Sequence, residues 1–422
     1  MTTLPTWVLI VFGITFVLMV GIIWSLKRRS HPRLKIESDL GINQLISSIC
    51  GVTQSTMLDG NDVQLVQNGE FFDRLFADLK EARHSINLEA FLAREGEVTR
   101  RTADVLSAKA REGVRVRVML DASGGRKFGK QSLKQMREAG VKVKEYHPLH
   151  VANLGKLNNR DHRKIVVMDG KLAYVGGHCF VDTWLGNAED KKHFRDISAR
   201  VAGPVVAQLQ SAFSENWLEE SGEVIGGDEY FPDIEPAGDT KAHVVYVSAA
   251  GSPSAVELLH YMALHAARKS ITIQNPYFLP DKSARNVMID AVRRGVNVRI
   301  MIPHQTASDA PIVQHASHHH YGTLLKGGVR LFDYRRTLLH QKVMTIDGCW
   351  SSVGSTNFDN RSFEVNDEVS MVVYDERIAT QLEEIFEKDL AEATEVTLDE
   401  WRRRPAMHKV RDFFSFLLGE QL

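Results

Sequence analysis

The sequence predicts an α/β protein of two similar lobes packed as a pseudo-dimer, preceded by one N-terminal transmembrane helix. Two observations predict the lobes: short apolar strands alternate with helical stretches, and this alternation occurs twice in the same order. A third observation predicts the helix, because an uncharged apolar run lies close to the N-terminus. With 422 residues, of which 43% are hydrophobic, the chain is long enough for two domain-sized cores.

The apolar run covers residues 7–26 and contains no charged residue. Roughly 20 such residues suffice to cross the hydrocarbon core of a bilayer. No Lys or Arg precedes the run, whereas Lys27, Arg28 and Arg29 follow it, which argues against a cleaved signal peptide. The positive-inside rule then places the rest of the chain in the cytoplasm. Residues 1–33 are therefore predicted to form a single-pass anchor with a basic flank.

The charge and cysteine content exclude two classes of partner. Lys and Arg number 52 and Asp and Glu number 53, so the formal net charge is -1 and there is no basic field suited to nucleic acid. Cys50, Cys179 and Cys349 are too scattered for a disulfide framework or a Cys-based zinc site. We therefore predict neither a nucleic-acid partner nor a cysteine-held metal.

An internal repeat sets the domain boundaries. Three pairs of segments share strand-like patterns at equivalent places, namely residues 85–91 with 270–277, 113–119 with 295–301, and 139–143 with 327–331. The stretch 219–240 is acidic, contains Gly and Pro and lacks periodicity, so it is predicted to be a linker. It separates a first lobe, 34–218, from a second lobe, 241–422, which ends in a basic and aromatic amphipathic tail.

A His-x-Lys-x4-Asp motif occurs once in each copy of the repeat. About 0.04 accidental matches are expected for 17 histidines, so two matches at equivalent places indicate shared chemistry. On a strand, residues two apart project from the same face, so each His and its Lys can meet one substrate. The candidate catalytic residues are His162, Lys164, Asp169, His340, Lys342 and Asp347.

Two imidazoles and two ammonium groups at one interface suit a phosphodiester substrate. The lysines hold its negative charge, one neutral His attacks phosphorus, and the other His, protonated, gives its proton to the leaving alcohol. The second His then acts as the base for the incoming alcohol. This sequence of steps is a ping-pong transfer through a phosphohistidine, and it needs no cofactor, metal or nucleotide.

Residues that follow each motif complete the candidate site. Gly177 in the first copy and Ser355 and Asn357 in the second are candidate phosphate-binding residues, because they can offer hydrogen-bond donors to phosphate oxygens. Each imidazole also needs a carboxylate to fix its tautomer, and the candidates are Asp196 and Glu368. Without the repeat, a surface charge or an ion pair would explain these two acids equally well.

The motifs resemble the phospholipase D superfamily, whose signature is His-x-Lys-x4-Asp followed by Gly-Ser-x-Asn, and within it the bacterial-type cardiolipin synthases. The resemblance runs from residue 68 to the C-terminus and includes the segments 159–167, 194–196, 275–280, 352–357, 361–366 and 401–405. It implies two phospholipase D-type lobes with His162 as the nucleophile. It also implies pairing across the lobes, of His162 with Glu368 and of His340 with Asp196.

The resemblance further implies a function. A cardiolipin synthase transfers a phosphatidyl group from one phosphatidylglycerol to another with release of glycerol, so phosphatidylglycerol, cardiolipin and the inner (plasma) membrane bilayer are the expected partners. A phospholipase D, or a phosphatidyltransferase with another alcohol as acceptor, would keep the same catalytic residues and stays open. A non-enzymatic membrane scaffold is a weaker alternative, because drift would erode two complete motifs.

Two sequence features lie outside this chemistry. Cys179 stands where the resembled family usually has Asn, which bears on the phosphate contacts of the first lobe. His315 and the run from His318 to His320 could place imidazoles on one helix face, as in a metal site, but no carboxylate or Cys lies close by in sequence. We therefore expect solvated or site-lining histidines and no metal.

Overall fold

The computed structural model describes residues 5–27, 36–148, 159–247 and 254–418, which fall into two compact units, Met1–Lys35 and Ile36–Leu422. In the first unit, helix α1 spans Thr6–Lys27. Among the described residues, no helix combines the length and the apolar character that crossing a membrane demands. The predicted basic flank at 28–33 and the last four residues of the predicted tail lie outside the described residues.

The second unit contains both copies of the repeat. The first copy comprises, in chain order, α2 (Ile46–Thr53), β1 (Leu58–Gln67), α3 (Glu70–Glu81), β2 (Ser85–Ala90), α4 (Glu97–Arg111), β3 (Arg115–Asp121), α5 (Lys130–Glu138), β4 (Lys142–Tyr146), β5 (Lys164–Met168), β6 (Leu172–Gly176), β7 (Ile197–Ala202) and α6 (Val206–Ser221).

The second copy repeats this order and extends it. It comprises β8 (Thr240–Val247), α7 (Ala255–Ala266), β9 (Ser270–Gln274), β10 (Phe278–Leu279), α8 (Lys282–Arg293), β11 (Asn297–Pro303), α9 (Pro311–Lys326), β12 (Arg330–Tyr334), β13 (Val343–Ile346), β14 (Trp350–Gly354), β15 (Phe358–Asp359), α10 (Asn360–Glu364), β16 (Glu368–Tyr374), α11 (Glu376–Leu390), β17 (Ala393–Val396), α12 (Leu398–Arg402) and α13 (Ala406–Leu418).

Among the described residues, fifteen strands form one sheet that reads the same way outward from the contact between β1 and β8. On one side the order is β7, β6, β5, β2, β3, β4, and on the other it is β16, β14, β13, β9, β11, β12, with β17 at the edge. Strands β2, β3 and β4 pair in parallel, as do β9, β11 and β12. The strand order therefore repeats about the β1–β8 contact, as two lobes of similar fold require.

A glycine that ends a helix precedes four of the repeated strands. Gly113 and Gly140 in the first lobe, and Gly295 and Gly328 in the second, have φ angles of 95°, 96°, 90° and 84°. These angles belong to the left-handed region, where a glycine ends a helix at no steric cost. Strands β3, β4, β11 and β12 each start two residues after their glycine, once the chain has turned.

An apolar core lies between the two lobes. It contains residues of β5 and β6 in the first lobe and of β13, β14 and β16 in the second, among them Ile165, Val167, Val343, Val353 and Val369. Each fully buried side chain of this kind contributes about 1.5–3 kcal/mol. Because the core includes the strands that follow His162 and His340, it fixes the two motifs relative to each other.

The predicted linker, 219–240, is packed on the first lobe. It begins in the last turn of α6 and ends where β8 starts. Glu223 accepts hydrogen bonds from Arg117 at 2.6 Å and from Lys142 at 3.0 Å, and Tyr230 is buried. These contacts are made by isolated charged and aromatic residues without periodicity, which is why the sequence pattern alone indicates a loose segment.

The two motif aspartates occupy equivalent hairpin loops. Asp169 follows β5 and Asp347 follows β13, with φ angles of 52° and 54°, and each precedes a glycine that also has a positive φ. Asp is one of the few residue types that tolerate this conformation. The carboxylate of Asp169 accepts backbone N–H groups of residues 83, 84 and 85 at 2.7–2.8 Å, and that of Asp347 accepts those of 268, 269 and 270 at 2.7–3.0 Å.

We predict that Asp169→Ala and Asp347→Ala each lower the free energy of unfolding by about 2–4 kcal/mol, because three N–H groups lose a charged acceptor. Asp→Asn at the same positions keeps one oxygen acceptor and should cost less. Thermal unfolding checks this, with the exposed Asp228→Ala as a neutral control. Loss of activity in a variant of unchanged stability would instead give the aspartate a direct part in the reaction.

Candidate active site

The two histidines meet carboxylates from opposite lobes. His162 lies two residues before β5, and its Nδ1 is 2.9 Å from Oε1 of Glu368, the first residue of β16. His340 lies three residues before β13, and its Nδ1 is 2.8 Å from Oδ2 of Asp196, which directly precedes β7. All four side chains are buried. The Nε2 atom of His162 is thereby left for the reacting group, whereas Nε2 of His340 also lies 3.0 Å from Nζ of Lys342.

Backbone hydrogen bonds cross between the lobes beside each pair. The N–H of His162 donates to the carbonyl of Asp367 at 3.0 Å, and the N–H of His340 donates to the carbonyl of Arg195 at 2.7 Å. In both cases the acceptor is the residue just before the paired acid. Each motif is thus bridged to the strand that carries its carboxylate, so histidine and acid are held by main chain as well as by side chain.

The two carboxylates are held by different groups. The hydroxyl of Ser355 donates to Oε2 of Glu368 and also accepts the N–H of Val369 at 3.1 Å. At the equivalent place in the first lobe stands Gly177, where an added Cβ would lie 2.2 Å from Oδ1 of Asp196. The indole N–H of Trp184 takes over the role of the hydroxyl, donating to Oδ2 of Asp196 at 2.7 Å.

The structure therefore corrects the phosphate-binding prediction at two positions. Ser355 orients Glu368, and Gly177 makes room for Asp196 while its own N–H faces the carbonyl of Ile197. Side-chain spacing in the sequence could not distinguish a donor to substrate from a donor to a buried acid. The amide of Asn357 differs, since its buried Oδ1 has no hydrogen-bond partner among the described residues.

The lysines lie beside the imidazoles. Nζ of Lys164 donates to the carbonyl of His162, and Nζ of Lys342 donates to the carbonyl of His340, each at 2.6 Å. Nζ of Lys342 is also 3.0 Å from Nε2 of His340. The structure thus brings both motif His-Lys pairs to one interface. Asp169 and Asp347, which were grouped with them as catalytic residues, lie at the far ends of β5 and β13, about 20 Å along the chain.

Burial and neighbouring positive charges lower the pKa values of the two imidazoles. Burial, followed by the ammonium groups of Lys164 and Lys342, holds the pKa of His162 well below its usual value. Burial and Lys342 also lower the pKa of His340. Burial lowers the pKa of Lys342 itself to about 7, although Asp196 opposes this shift.

The two acids diverge in their pKa values. Burial raises the pKa of Glu368 to about 7, even though Lys164 and the Ser355 hydroxyl favour its ionised form. Burial would raise the pKa of Asp196 as well, but His178 and His340 outweigh it and place that pKa below its usual range. Asp196 is therefore a permanent anion beside His340, whereas Glu368 exchanges its proton near neutral pH.

Two aromatic side chains line the site, and the sequence motifs did not indicate either of them. The ring of Phe91 meets the imidazole of His162 edge-on at 4.7 Å, and the indole of Trp184 meets that of His340 edge-on at 5.0 Å. Phe91 ends a predicted strand, but Trp184 lies in a loop without a motif. Only the fold brings it to the histidine, where its indole N–H positions the acid.

Cys179 occupies the place in the first lobe that Asn357 occupies in the second. It is buried, and its Sγ lies 3.7 Å from the carbonyl of Gly177. Burial raises the pKa of this thiol, so it stays protonated and is a weak donor. The two lobes therefore offer different groups at the phosphate side of the site.

The histidines of α9 lie apart from this site. Nδ1 of His315 is 3.1 Å and Nδ1 of His318 is 3.7 Å from Oδ1 of Asp412 in α13. These three groups could offer ligands to a metal ion, since a carboxylate that is distant in sequence is close in space. Arg404 already binds the other oxygen of Asp412 at 2.6 Å. The expectation of solvated or site-lining histidines was thus wrong for His315 and His318, because they are buried against α13.

Comparison with known proteins identifies relatives over most of the chain. The family described as cardiolipin synthase, PLD-like domain, matches residues 75–217 and 261–390. A cardiolipin synthase of Staphylococcus aureus (strain Mu50) is 35% identical over 367 residues, covering 85% of this chain and 73% of that protein. A probable cardiolipin synthase of Bacillus subtilis (strain 168) is 31% identical over 361 residues, covering 85% and 72%.

Solved structures share the fold at low sequence identity. A phosphatidylserine synthase of Haemophilus influenzae Rd KW20 superposes with a TM-score of 0.67 and 12% identity, covering 88% of this chain and 98% of that one. A polyphosphate kinase of Porphyromonas gingivalis superposes with a TM-score of 0.53 and 15% identity, covering 90% and 57%. These likenesses concern the arrangement of strands and helices alone.

We predict that Ser355→Ala lowers kcat for phosphodiester transfer by about 10–100-fold and leaves KM nearly unchanged, because the hydroxyl orients an acid rather than the substrate. Loss of its hydrogen bond favours protonated Glu368, so the acidic limb of the pH–kcat profile should move to higher pH. Steady-state kinetics across pH checks both effects. Ser351→Ala, another buried hydroxyl of β14, is the matched control. A raised KM with unchanged kcat would return Ser355 to phosphate binding.

Proposed function

The chain belongs to the family of cardiolipin synthases with phospholipase D-like domains, and on that premise we propose that it joins two phosphatidylglycerol molecules into cardiolipin with release of glycerol. It is a phosphatidyltransferase. The observation that carries the proposal is the pair of buried imidazoles, each bound through Nδ1 to a carboxylate of the other lobe. Such a pair serves a two-step transfer, since one His can attack while the other supplies a proton.

In the first step, Nε2 of His162 attacks the phosphorus of a phosphatidylglycerol. The phosphorus–oxygen bond to the glycerol headgroup breaks, and His340 gives its proton to the departing glycerol oxygen. In the second step, a hydroxyl of another phosphatidylglycerol gives its proton to His340 and attacks phosphorus, and the bond to His162 breaks. One phosphodiester is thereby exchanged for another, so the reaction needs no energy-rich donor and no nucleotide.

The electrostatics support this assignment of roles. A nucleophile must be neutral, and the low pKa of His162 keeps it so. A general acid must hold a proton, and Asp196 favours the protonated form of His340 against burial and Lys342, which lower the pKa of that imidazole. The low pKa of His162 and the anion of Asp196 beside His340 therefore favour His162 as nucleophile and His340 as acid and base.

Lys164, Lys342 and Asn357 are proposed to hold the phosphate. The two ammonium groups lie next to the two imidazoles and match the charge that spreads over the phosphate oxygens in the transition state. The buried amide of Asn357 has an oxygen without a hydrogen-bond partner among the described residues, and its NH2 group is the part that can donate to a phosphate oxygen.

The proposal predicts that purified protein in phosphatidylglycerol vesicles forms one glycerol per cardiolipin, without CTP, ATP or added metal. Quantifying cardiolipin, glycerol and phosphatidic acid in one assay checks this result. The same site could pass the phosphatidyl group to water or to another alcohol. Phosphatidic acid as the main product would assign a phospholipase D, and dependence on CDP-diacylglycerol would assign a different synthase.

The covalent step has its own readout within that assay. His340→Ala retains the attacking nitrogen, so a donor with a good leaving group should leave a phosphatidyl group on His162 that turns over slowly. His162→Ala should form no adduct and no product. Mass spectrometry of peptides kept at neutral pH locates the adduct. An adduct on His340 in the His162 variant, and none on His162, would reverse the two roles.

The proposal includes attachment to the inner membrane by residues 7–26, with the catalytic unit in the cytoplasm. Its support is the uncharged apolar sequence followed by Lys27, Arg28 and Arg29. We predict that a C-terminal reporter active only in the cytoplasm works when fused to the full chain. A reporter that works only on the outer side would contradict this topology. Removal of residues 1–33 should leave a folded protein that binds vesicles less well.

A further inference from the structure

Helix α13 exposes four large apolar side chains and buries two polar ones. Met407, Val410, Phe413 and Phe414 are 74%, 49%, 47% and 61% exposed. Asp412 and Ser415, in contrast, are buried. Water-soluble helices normally have the opposite arrangement, because burial of apolar surface drives packing. Within the described part of the chain, the outward face of α13 therefore lacks the cover that its composition calls for.

The exposed apolar residues form one stripe. At about 100° per residue, Met407, Val410, Phe413 and Phe414 cover roughly a third of the helix circumference. Lys409 and Arg411 project at its two edges, and both are exposed. Asp412, on the opposite face, is the one acidic residue between 406 and 418. The outward face thus combines apolar side chains with flanking positive charge.

Directional polar contacts fix this orientation. Asp412 is bound by Arg404 at 2.6 Å and by His315 at 3.1 Å, and the imidazole of His319 stacks on Phe416 at 4.4 Å. Rolling α13 to bury its stripe would separate these groups and leave the buried imidazoles of His315 and His318 without their carboxylate partner, which is costly. The helix is therefore held with its apolar face outward.

We infer that α13 is an in-plane membrane-contact helix that inserts its apolar stripe into the surface of a bilayer containing anionic lipid. Apolar side chains flanked by Lys and Arg are the combination that binds the boundary between headgroups and acyl chains. The inference rests on the proposed function only in requiring a bilayer near the site. A second copy of this chain fits less well, since two such faces would bring Lys409 and Arg411 close to their own counterparts.

Collisional quenching in vesicles tests the inference on the full chain. Phe414→Cys is introduced with Cys50→Ser and Cys349→Ser and labelled with an environment-sensitive fluorophore, while the buried Cys179 stays unlabelled. In vesicles containing phosphatidylglycerol, lipid-borne doxyl groups should quench this label at least threefold more than a label at the exposed Glu384→Cys of α11. Aqueous iodide should show the reverse preference.

The charge requirement is tested by Lys409→Gln with Arg411→Gln. Doxyl quenching at position 414 should fall in phosphatidylglycerol vesicles towards the level seen in phosphatidylcholine vesicles, whereas Lys388→Gln with Arg299→Gln on the α11 side should leave it unchanged. Iodide quenching equal at 414 and 384 would overturn the inference. The inference would also be overturned if the label were shielded from both quenchers to a degree that depends on protein concentration. That result would indicate pairing of two copies. Quenching needs no turnover, so its outcome is independent of cardiolipin formation.

Discussion

Two hydrogen bonds cross between the lobes and join each histidine of the site to its acid. One runs from Nδ1 of His162 to Glu368, and the other from Nδ1 of His340 to Asp196. Neither lobe contains a histidine together with its own acid, so neither is a complete half-site. The backbone N–H of each histidine also donates a hydrogen bond to the opposite lobe, which reinforces this pairing. The shared apolar core and the continuous sheet then keep the two histidine–acid pairs at a fixed separation. The geometry of the reaction centre is thus a property of the interface.

Within this symmetric frame the chemistry is asymmetric. Glu368 is held by a serine hydroxyl, and burial raises its pKa to about 7. Asp196 is held by an indole N–H, and interaction with His178 and His340 keeps its pKa below the usual range. In the proposed two-step transfer, the unlike carboxylates would help one imidazole to be neutral while the other is protonated. The repeat gives the two histidines similar backbone surroundings, and the different side chains around Glu368 and Asp196 make their electrostatic environments unlike.

The residues of the His-x-Lys-x4-Asp motif lie at opposite ends of the strand that contains it. Its His and Lys lie at the end that faces the other lobe, and its Asp lies in the hairpin at the far end, where it binds the backbone of the neighbouring strand. The motif therefore contains both chemical and structural residues. Ser355 and Gly177 illustrate the same point, since a pattern of residue types does not say which atom each one contacts.

The sequence by itself determined the repeated α/β order, the two His-Lys pairs and the acids that stand near them, because strand period and motif spacing are local properties. Loop positions such as Trp184, the packing of the stretch 219–240 and the contact of Asp412 with His315 depend on contacts between residues far apart in the chain, which no local pattern encodes. The pKa values of Glu368 and Asp196 also required the fold, because burial and neighbouring charges set them. Tertiary structure decided which atoms meet, and that depends on distances in space.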